Sequence, residues 1–201
     1  MNGQFVALEP LVAEHEHPLW RAASAAGDEA LWDYLPYGPF GTEAEFSEWF
    51  RGSLAAEDLE FFAVVPKASG LPAGMLALMR DEPAHRVVEV GHVWFGPELQ
   101  RTTAATEALG LIMGHVFEDR GYRRLEWKCN AANARSRRAA ERTGFTYEGT
   151  FRQHMIVKGE NRDTAWFSIL DSEWPTQKTK FERWLDPGNF GLDGKQRAPL
   201  G

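Results

Sequence analysis

The hydrophobic periodicity changes about half-way along the chain, and this change constrains the fold most. In the first half, Glu60–Val65, Ala73–Arg80 and Val87–Phe95 are β-rich segments joined by turns, which predicts an antiparallel meander. Apolar residues then recur at helical spacing over Thr103–Arg120, and Arg124–Cys129 alternates again as a strand. A strand, a helix and a second strand in this order predict a right-handed crossover that makes the two strands parallel.

The remaining segments complete an α/β pattern around this crossover. They are a first strand at Phe5–Leu8, helices at Glu14–Ala26, Glu43–Ala56 and Ala134–Thr143, and two last strands at Thr146–Val157 and Thr164–Leu170. The predicted fold class is therefore α/β, with a mixed, mostly antiparallel sheet covered by helices on both faces. We expect one domain over residues 1–175 and a C-terminal extension over residues 176–201, with a short helix and then a flexible tail.

Composition disfavours several classes of function. The net charge of −7 disfavours nucleic-acid binding, because affinity for phosphates comes from Lys and Arg. The single cysteine, Cys129, cannot form a disulfide within the chain, and no stretch approaches the roughly 18 apolar residues that a membrane span needs. The N-terminus lacks the pattern of a signal peptide, so we expect a cytoplasmic protein without a membrane partner. His15 and His17 lack acidic or thiol partners at a fixed spacing, and no metal site is expected.

The segment between Val93 and Glu107 contains the strongest signal for chemistry. A strand runs into a short loop that ends in small or hydroxylated residues and opens the helix at Thr103. The start of a helix has free backbone N–H groups and positive partial charge, and Arg101 adds a full positive charge there. This pattern is typical of a cradle for a pyrophosphate. An ordinary helix capped by a threonine would show the same pattern, so both interpretations stay open.

A second polar segment, Asn130–Ser136, directly follows the next parallel strand. Because the carboxyl ends of parallel strands meet at one edge of a sheet, Asn133 and the loop before Thr103 should border one crevice. The Asn133 amide can donate and accept hydrogen bonds at once, which suits a peptide-like ligand. Its other interpretation is a helix N-cap, and the two roles are compatible.

Together these motifs resemble the GNAT superfamily, in the RimJ/RimL-like branch of ribosomal-protein N-terminal acetyltransferases. The matching motifs are Pro97-x-x-Gln100-Arg101-x-x-x-Ala105-Thr106-Glu107-Ala108, Asn133-x-x-Ser136 and Gly144-Phe145-x-x-Glu148-Gly149, within a resemblance that covers Phe5–Trp174. The resemblance implies acetyl-CoA as the cosubstrate. It also implies a sheet in which parallel strands four and five splay apart to admit the pantetheine arm of the coenzyme.

Position by position, the resemblance implies where the coenzyme binds. The implied residues are Val93, Trp94 and Phe95 on strand four, the backbone amides of Arg101, Thr102, Thr103, Ala104, Ala105 and Thr106, and the side chain of Asn133. Ser136 matches a serine that lies near the thioester sulfur. Three positions depart from the family pattern: Thr103 replaces a loop glycine, Ala140 replaces a tyrosine that protonates the leaving thiolate, and Lys128 replaces a glutamate that serves as base.

The reaction that these observations predict is direct attack of a neutral primary amine on the thioester. A backbone N–H near Val93 or Trp94 would polarise the carbonyl, and Ser136 could donate to the sulfur or simply belong to the first helical turn. The candidate bases are His92 and Glu89. An odd number of steps separates them, so they should lie on opposite faces of the strand. A chain of waters could replace both bases.

The expected partner is an amine acceptor, either a protein N-terminus or a small molecule, and a homodimer is compatible with the sequence. The alternative function is a noncatalytic acyl-CoA-binding or regulatory domain, which the departures at Ala140 and Lys128 leave open. A nucleotide-phosphate enzyme is a weaker hypothesis, because no Gly-Lys-Ser/Thr motif is present. We expect the aromatic loop Tyr34–Gly41 and the turn Lys158–Asp163 to shape the acceptor pocket. Candidate walls of that pocket are Trp32, Trp49 and Trp94.

Overall fold

The fold is built on one mixed sheet, seen in a computed structural model that describes residues 1–25, 29–191 and 195–201. Within these ranges the sheet has seven strands in the order β1-β2-β3-β4-β5-β7-β6. They are β1 (Val6–Pro10), β2 (Leu59–Pro66), β3 (Gly74–Glu82), β4 (Val87–Phe95), β5 (Arg124–Asn130), β6 (Thr146–Val157) and β7 (Glu160–Leu170). All neighbouring pairs are antiparallel except β4 and β5, which are parallel, as the crossover predicted.

Helices cover both faces of this sheet. They are α1 (Glu16–Ala23), α2 (Glu43–Leu54), α3 (Thr103–Gly114), α4 (Ala134–Arg142) and α5 (Trp174–Leu185). Helices α1 and α2 pack on one face, where Leu19, Phe46 and Phe50 meet Phe61 and Trp94. Helices α3, α4 and α5 contribute to a second core on the opposite face. We call these surfaces the α1–α2 face and the α3–α4 face.

Strand β5 shows how the local pattern selects the face. Leu125, Trp127 and Cys129 are buried and belong to the core of the α3–α4 face, while the residues between them alternate to the other face. Helix α4 ends at Arg142, and Gly144 then has a positive φ of 94° with Phe145 buried behind it. The predicted alternation of β5 is confirmed, and the predicted helix at Ala134–Thr143 ends just before a glycine in the left-handed conformation.

A buried carboxylate connects the start of the chain to α3. The oxygens of Glu107, a residue only 5% exposed, accept backbone N–H bonds from Gln4 at 2.6 Å, from Phe5 at 2.6 Å and from Val6 at 2.9 Å. Charge-assisted hydrogen bonds of this kind are stronger than neutral ones. Glu107 therefore fixes β1 against the helix that opens the predicted phosphate cradle.

Several element boundaries differ from the predictions. The predicted helix Glu14–Ala26 begins with a 3₁₀ turn at Ala13–His15 and continues as α1 to Ala23, and Ala26 itself lies outside the described residues. The predicted helix Thr103–Arg120 changes to a π-helical turn at His115–Asp119. Helix α5 is longer than the predicted short helix, because its buried stripe already starts at Trp174.

Several described residues of the segment that was expected to form a flexible tail have contacts with each other or with the core. After a 3₁₀ turn at Pro187–Asn189, Phe190 pairs with Gln196. Leu200 is only 4% exposed and belongs to the core of the α3–α4 face. These contacts attach the segment 176–201 to the core of residues 1–175. No helix in the described ranges is both long and apolar enough to cross a bilayer.

Candidate active site

Strands β4 and β5 diverge at their carboxyl ends. They pair from Val87 and Arg124 up to Val90 and Trp127, and no pairing follows, although β4 continues to Phe95 and β5 to Asn130. The backbone of the last residues of β4 therefore faces a gap in the sheet. The splayed strands implied by the resemblance are confirmed.

A β-bulge in β4 accompanies this divergence. Trp94 pairs with Met75 and Gly91 pairs with Ala77, so β4 has one residue more than β3 over the same stretch. His92 lies in this stretch with a left-handed φ of 51°. A bulge bends its strand and increases the local twist, which turns the end of β4 away from its neighbour.

The gap opens into a cavity of about 800 Å³. Its lining comes from both faces of the sheet. The α3–α4 side contributes Leu109, Trp127, Cys129, Ser136 and Ala139, and the opposite side contributes Met79, Arg80, Glu89, Lys128, His154 and Arg162. This volume suits a small-molecule site, and the cavity passes through the sheet instead of lying on one face.

The structure places the predicted coenzyme residues in two groups. Val93, Trp94, Phe95, Arg101 and Asn133 line the cavity. The residues that follow Arg101 form the first turn of α3 next to it and do not line it: Thr102, Thr103, Ala104, Ala105 and Thr106.

Only some of the backbone amides in this turn are free to bind a phosphate. Those of Thr102, Ala105 and Thr106 already donate, to the carbonyl of Leu99 and to the hydroxyl and carbonyl oxygens of Thr102. Those of Arg101, Thr103 and Ala104 have no acceptor among the described residues. Arg101 has a φ of 61°, whereas Thr103 is an ordinary helical residue, so a side chain at this glycine position of the family causes no backbone strain.

Asn133 and Ser136 form a connected pair at the start of α4. The Oδ1 atom of Asn133 accepts the backbone N–H of Ser136 at 3.0 Å, which confirms the N-cap interpretation. The Nε1–H of Trp127 donates to the Oγ of Ser136 at 2.9 Å. An indole N–H can only donate, so Ser136 must accept this bond and keeps its own proton for another partner. The buried Cys129 thiol lies nearby, and its pKa is raised by burial and partly lowered again by Ser136.

Glu89 and His92 lie on the same face of β4, so the prediction of opposite faces is wrong. Glu89 contacts Lys128, and His92 packs against Phe61 and Tyr37, all on the α1–α2 face. The extra residue in the bulge reverses the alternation that parity assumes. Both predicted bases therefore border the same side of the cavity.

The Glu89 carboxylate is buried between two cations. Its Oε2 lies 3.0 Å from the Nζ of Lys128 and 3.5 Å from the Nε of Arg80. Burial raises the pKa of Glu89, and the charge of Lys128 partly offsets this effect. Lys128 also contacts Glu126 at 2.8 Å, and its Nζ lies 3.6 Å from the ring centre of Trp166. Burial raises the pKa of Glu126, but hydrogen bonds from Lys128 and Arg124 outweigh it and hold that pKa below its ordinary value.

His92 is a neutral imidazole at pH 7. Burial lowers its pKa below the ordinary 6.5, and the charge of Asp58 offsets this only in part. Its ring stacks on Tyr37 with centroids 5.6 Å apart, and its Nδ1 lies 3.2 Å from the Tyr37 hydroxyl. Burial also raises the pKa of Tyr37, so this hydroxyl stays protonated. His92 therefore has one ring nitrogen bonded to Tyr37 and borders the cavity with the rest of its ring.

Only the first residues of the aromatic loop Tyr34–Gly41 line the cavity. Tyr34, Leu35 and Pro36 line the cavity, and so does Trp94. Trp32 and Trp49 do not line the cavity. Both pack against Phe40, and tryptophan side chains more often pack in a core in this way than line a pocket. A bond of 2.7 Å from the Nζ of Lys158 to the carbonyl of Trp32 ties the β6–β7 turn to this loop.

Sequence reasoning missed Arg80 and Arg162 as cavity residues. Arg162 was included only within the turn Lys158–Asp163 that was expected to shape the acceptor pocket, and Arg80 only as the end of a predicted strand. For Arg162 the signal is position within a strand, because it alternates to the face that carries Glu89 and Lys128. Using this signal would have required the pairing of β7 with β5, which is not a local property. Alternation would have placed Arg80 on the opposite face, and it reaches Glu89 only because β3 is irregular there, where Arg80 has a φ of 49°.

Comparison with known proteins agrees with this geometry. A sequence profile described as Acetyltransferase (GNAT) domain matches residues 6–146. The chain belongs to the GNAT acetyltransferase family. The crystal structure of a GCN5-related N-acetyltransferase from Brucella melitensis is 50% identical, covers 99% of this chain and 90% of its own, and superposes with a TM-score of 0.97. A GNAT-family structure from Chromobacterium violaceum is 45% identical over 87% of each chain, with a TM-score of 0.80.

A curated relative points to the branch of the family. The Bacillus subtilis protein provisionally named ribosomal N-acetyltransferase YdaF is 29% identical over 109 residues, which are 54% of this chain. The chain spans 59% of the length of that relative. The resemblance to the RimJ/RimL-like branch of the family is confirmed, and the family uses acetyl-CoA.

Proposed function

We propose that this GNAT chain transfers an acetyl group from acetyl-CoA directly to a primary amine, on a protein N-terminus or a small molecule. The observation that carries the proposal is the cavity between β4 and β5. Free amides border it on the α3–α4 side, and candidate proton acceptors border it on the α1–α2 side. Such a passage lets two reactants meet from opposite sides of the sheet.

The residues on the α3–α4 side suit the coenzyme. The amides of Arg101, Thr103 and Ala104 are neighbouring unbonded donors at a helix start, where an anion such as a diphosphate binds well. The unpaired backbone of β4 at Val93 offers peptide-like hydrogen bonding to a pantetheine arm, and Asn133 lies across the gap. Acetyl-CoA supplies an acyl group activated as a thioester.

The residues on the α1–α2 side suit removal of a proton from the amine. An amine is a nucleophile only when it is neutral, and most amines arrive protonated. We assign His92 as the base, because it is neutral at pH 7 and borders the cavity. Glu89 is the second candidate: burial raises its pKa, the charge of Lys128 offsets this in part, and its carboxyl group borders the cavity.

We assign Ser136 as the hydrogen-bond donor to the leaving thiolate. Its hydroxyl accepts the Trp127 indole N–H, and this bond orients it and makes its own proton a better donor. Ala140, at the usual tyrosine position, is fully buried in the core and cannot take this role.

We expect a His92→Gln variant to lose about 100-fold in kcat/KM, the usual effect of removing a general base. The base must be neutral, and burial lowers the pKa of His92, so wild-type kcat/KM should fall only as the pH drops through a value below 6.5. This acid limb should be absent from the profile of His92→Gln. The measurement is thiol release from acetyl-CoA as a function of pH.

The matched control is His17→Gln, since the His17 side chain is 70% exposed and pairs with Glu43 on the surface. This variant should keep the wild-type profile. An unchanged acid limb in His92→Gln, together with its loss in Glu89→Gln, would transfer the role of base to Glu89.

The alternative of a noncatalytic acyl-CoA-binding domain is favoured by Lys128, which is held in ion pairs where relatives carry a basic glutamate. A thiol-release assay over a panel of amines and peptides separates the two functions. Tight binding of acetyl-CoA without turnover of any acceptor would support the alternative, and turnover of any amine would exclude it.

A further inference from the structure

Arg162 is a cation without a partner in the wall of the cavity. It lies on β7 and lines the cavity on the side that carries Glu89. Its Nε atom is buried and has no hydrogen-bond partner, and no hydrogen bond or ion pair reaches its guanidinium from any residue that the structure describes. The other two cations of this wall, Arg80 and Lys128, both pair with Glu89.

The carboxylates near Arg162 are already used. The Oδ1 of its neighbour Asp163 accepts from the backbone of Gln153 at 2.7 Å and from the side chain of Asn161 at 3.0 Å. The carboxylate of Glu89 lies at 3.0 Å from Lys128. On this side of the cavity the charged lining residues are the cations Arg80, Lys128 and Arg162 and the carboxylates Asp33 and Glu89. Glu89 is paired with Arg80 and Lys128, and no hydrogen bond or ion pair joins Asp33 to Arg162 in the described ranges.

Leaving this group unpaired has a cost. A buried donor without an acceptor costs about 1–3 kcal/mol, and more when it is charged. Burial lowers the pKa of Arg162, and the charges of Cys129 and Glu89 offset this effect only in part. The indole N–H of Trp94, which also lines the cavity, is likewise buried without a partner. The cavity therefore offers unpaired donors, one of them charged, to a ligand that enters it.

From this unpaired guanidinium in the cavity wall we infer that Arg162 binds a carboxylate carried by the acceptor amine. The inference rests on the proposed function and adds the class of acceptor to it. The planar guanidinium can hold a carboxylate through two parallel hydrogen bonds, a geometry that a point charge does not offer. A carboxylate at Arg162 would orient the acceptor with its amine toward His92 and the gap between the strands. The acceptor is thus an amino-acid-like amine, or a peptide N-terminus with an acidic side chain close to it.

Paired acceptors that differ only in charge test this inference. For free amines the pair is β-alanine and β-alaninamide, and for peptides it is a tripeptide with aspartate or asparagine at its second position. In each class that is turned over, the carboxylate member should have a kcat/KM at least about tenfold higher, which corresponds to one charge-assisted contact. The pair that shows the larger ratio identifies the source of the carboxylate.

Variants then assign the effect to Arg162. Arg162→Gln should abolish the ratio, and Arg162→Lys should retain only part of it, because the charge remains without the fork. Arg152→Gln is the matched control, since Arg152 is exposed on the same hairpin and does not line this cavity. Because no internal bond is lost, the melting temperature of Arg162→Gln should not fall.

The outcomes separate this inference from the proposed function. Turnover with no preference for the carboxylate member, or a preference that survives in Arg162→Gln, overturns the inference and leaves the acetyltransferase in place. If no amine is turned over, the proposed function fails. The inference is then still decided by equilibrium binding of the same pairs to the CoA-loaded protein: tighter binding of a carboxylate member supports it only if Arg162→Gln removes the difference, and equal binding refutes it.

Discussion

A Thr103→Glu variant is expected to lose about 1,000-fold or more in affinity for acetyl-CoA while it stays folded. Thr103 supplies one of the unbonded amides at the start of α3. A carboxylate beside a bound diphosphate places like charges together, which costs several kcal/mol, and each 1.4 kcal/mol is a factor of ten. The same carboxylate favours the helix itself, because negative charge in the first turn interacts well with the helix dipole.

Isothermal titration with acetyl-CoA, together with the melting temperature, measures both expectations. Two controls are available. Thr103→Ser keeps the backbone donor without adding charge and should bind normally. Thr179→Glu makes the identical substitution at an exposed site on α5 and should also bind normally. An unchanged affinity in Thr103→Glu would refute the phosphate cradle.

A Glu107→Ala variant should lower the free energy of unfolding by about 3–5 kcal/mol, as removing one partner of a buried charged network does. The carboxylate of Glu107 satisfies three consecutive backbone donors, those of Gln4, Phe5 and Val6. Without it, these N–H groups lose their acceptor in a region where water has little access. Urea unfolding followed by circular dichroism measures the change.

Glu98→Ala is the control for this experiment. Glu98 is exposed in the loop before α3, and truncating an exposed side chain usually changes stability by no more than about 0.5 kcal/mol. A loss as small as this in Glu107→Ala would show that β1 does not depend on the carboxylate. Because the proposed phosphate cradle lies at the start of α3, we further expect Glu107→Ala to weaken acetyl-CoA binding at temperatures close to its lowered melting point.

Much of the fold could be predicted because its signals are local. The alternation of Arg124–Asn130 and the stop at Gly144 depend on side-chain periodicity and on backbone freedom within a few residues. The bulge at His92 has no such signature, since it arises from the pairing of β4 with β3. Parity along the strand therefore placed Glu89 and His92 on opposite faces, whereas the folded sheet brings them to the same face.

The candidate site also has one part with local sequence signals and one part that depends on how distant strands pair. The helix start at Thr103 and the Asn133 cap could be predicted, because a loop that opens a helix has a recognisable composition. The acceptor wall could not, since it assembles Arg80, Glu89, Lys128 and Arg162 from four strands that are distant in sequence. Lys128 is an example. Its residue type indicated only that the glutamate base of the family is replaced, whereas the fold shows that Lys128 forms an ion pair with Glu89.

The passage through the sheet has a consequence for how such an enzyme can change its acceptor. The segment Ala30–Pro36 and the hairpin of β6 and β7 border the α1–α2 side, whereas the residues proposed to bind the coenzyme lie on α3, α4 and β4 and in the loops that lead into the two helices. Mutations in that segment and hairpin can therefore reshape what is acetylated without disturbing the donor. Evolution can therefore change the acceptor side of the cavity while the coenzyme side stays the same.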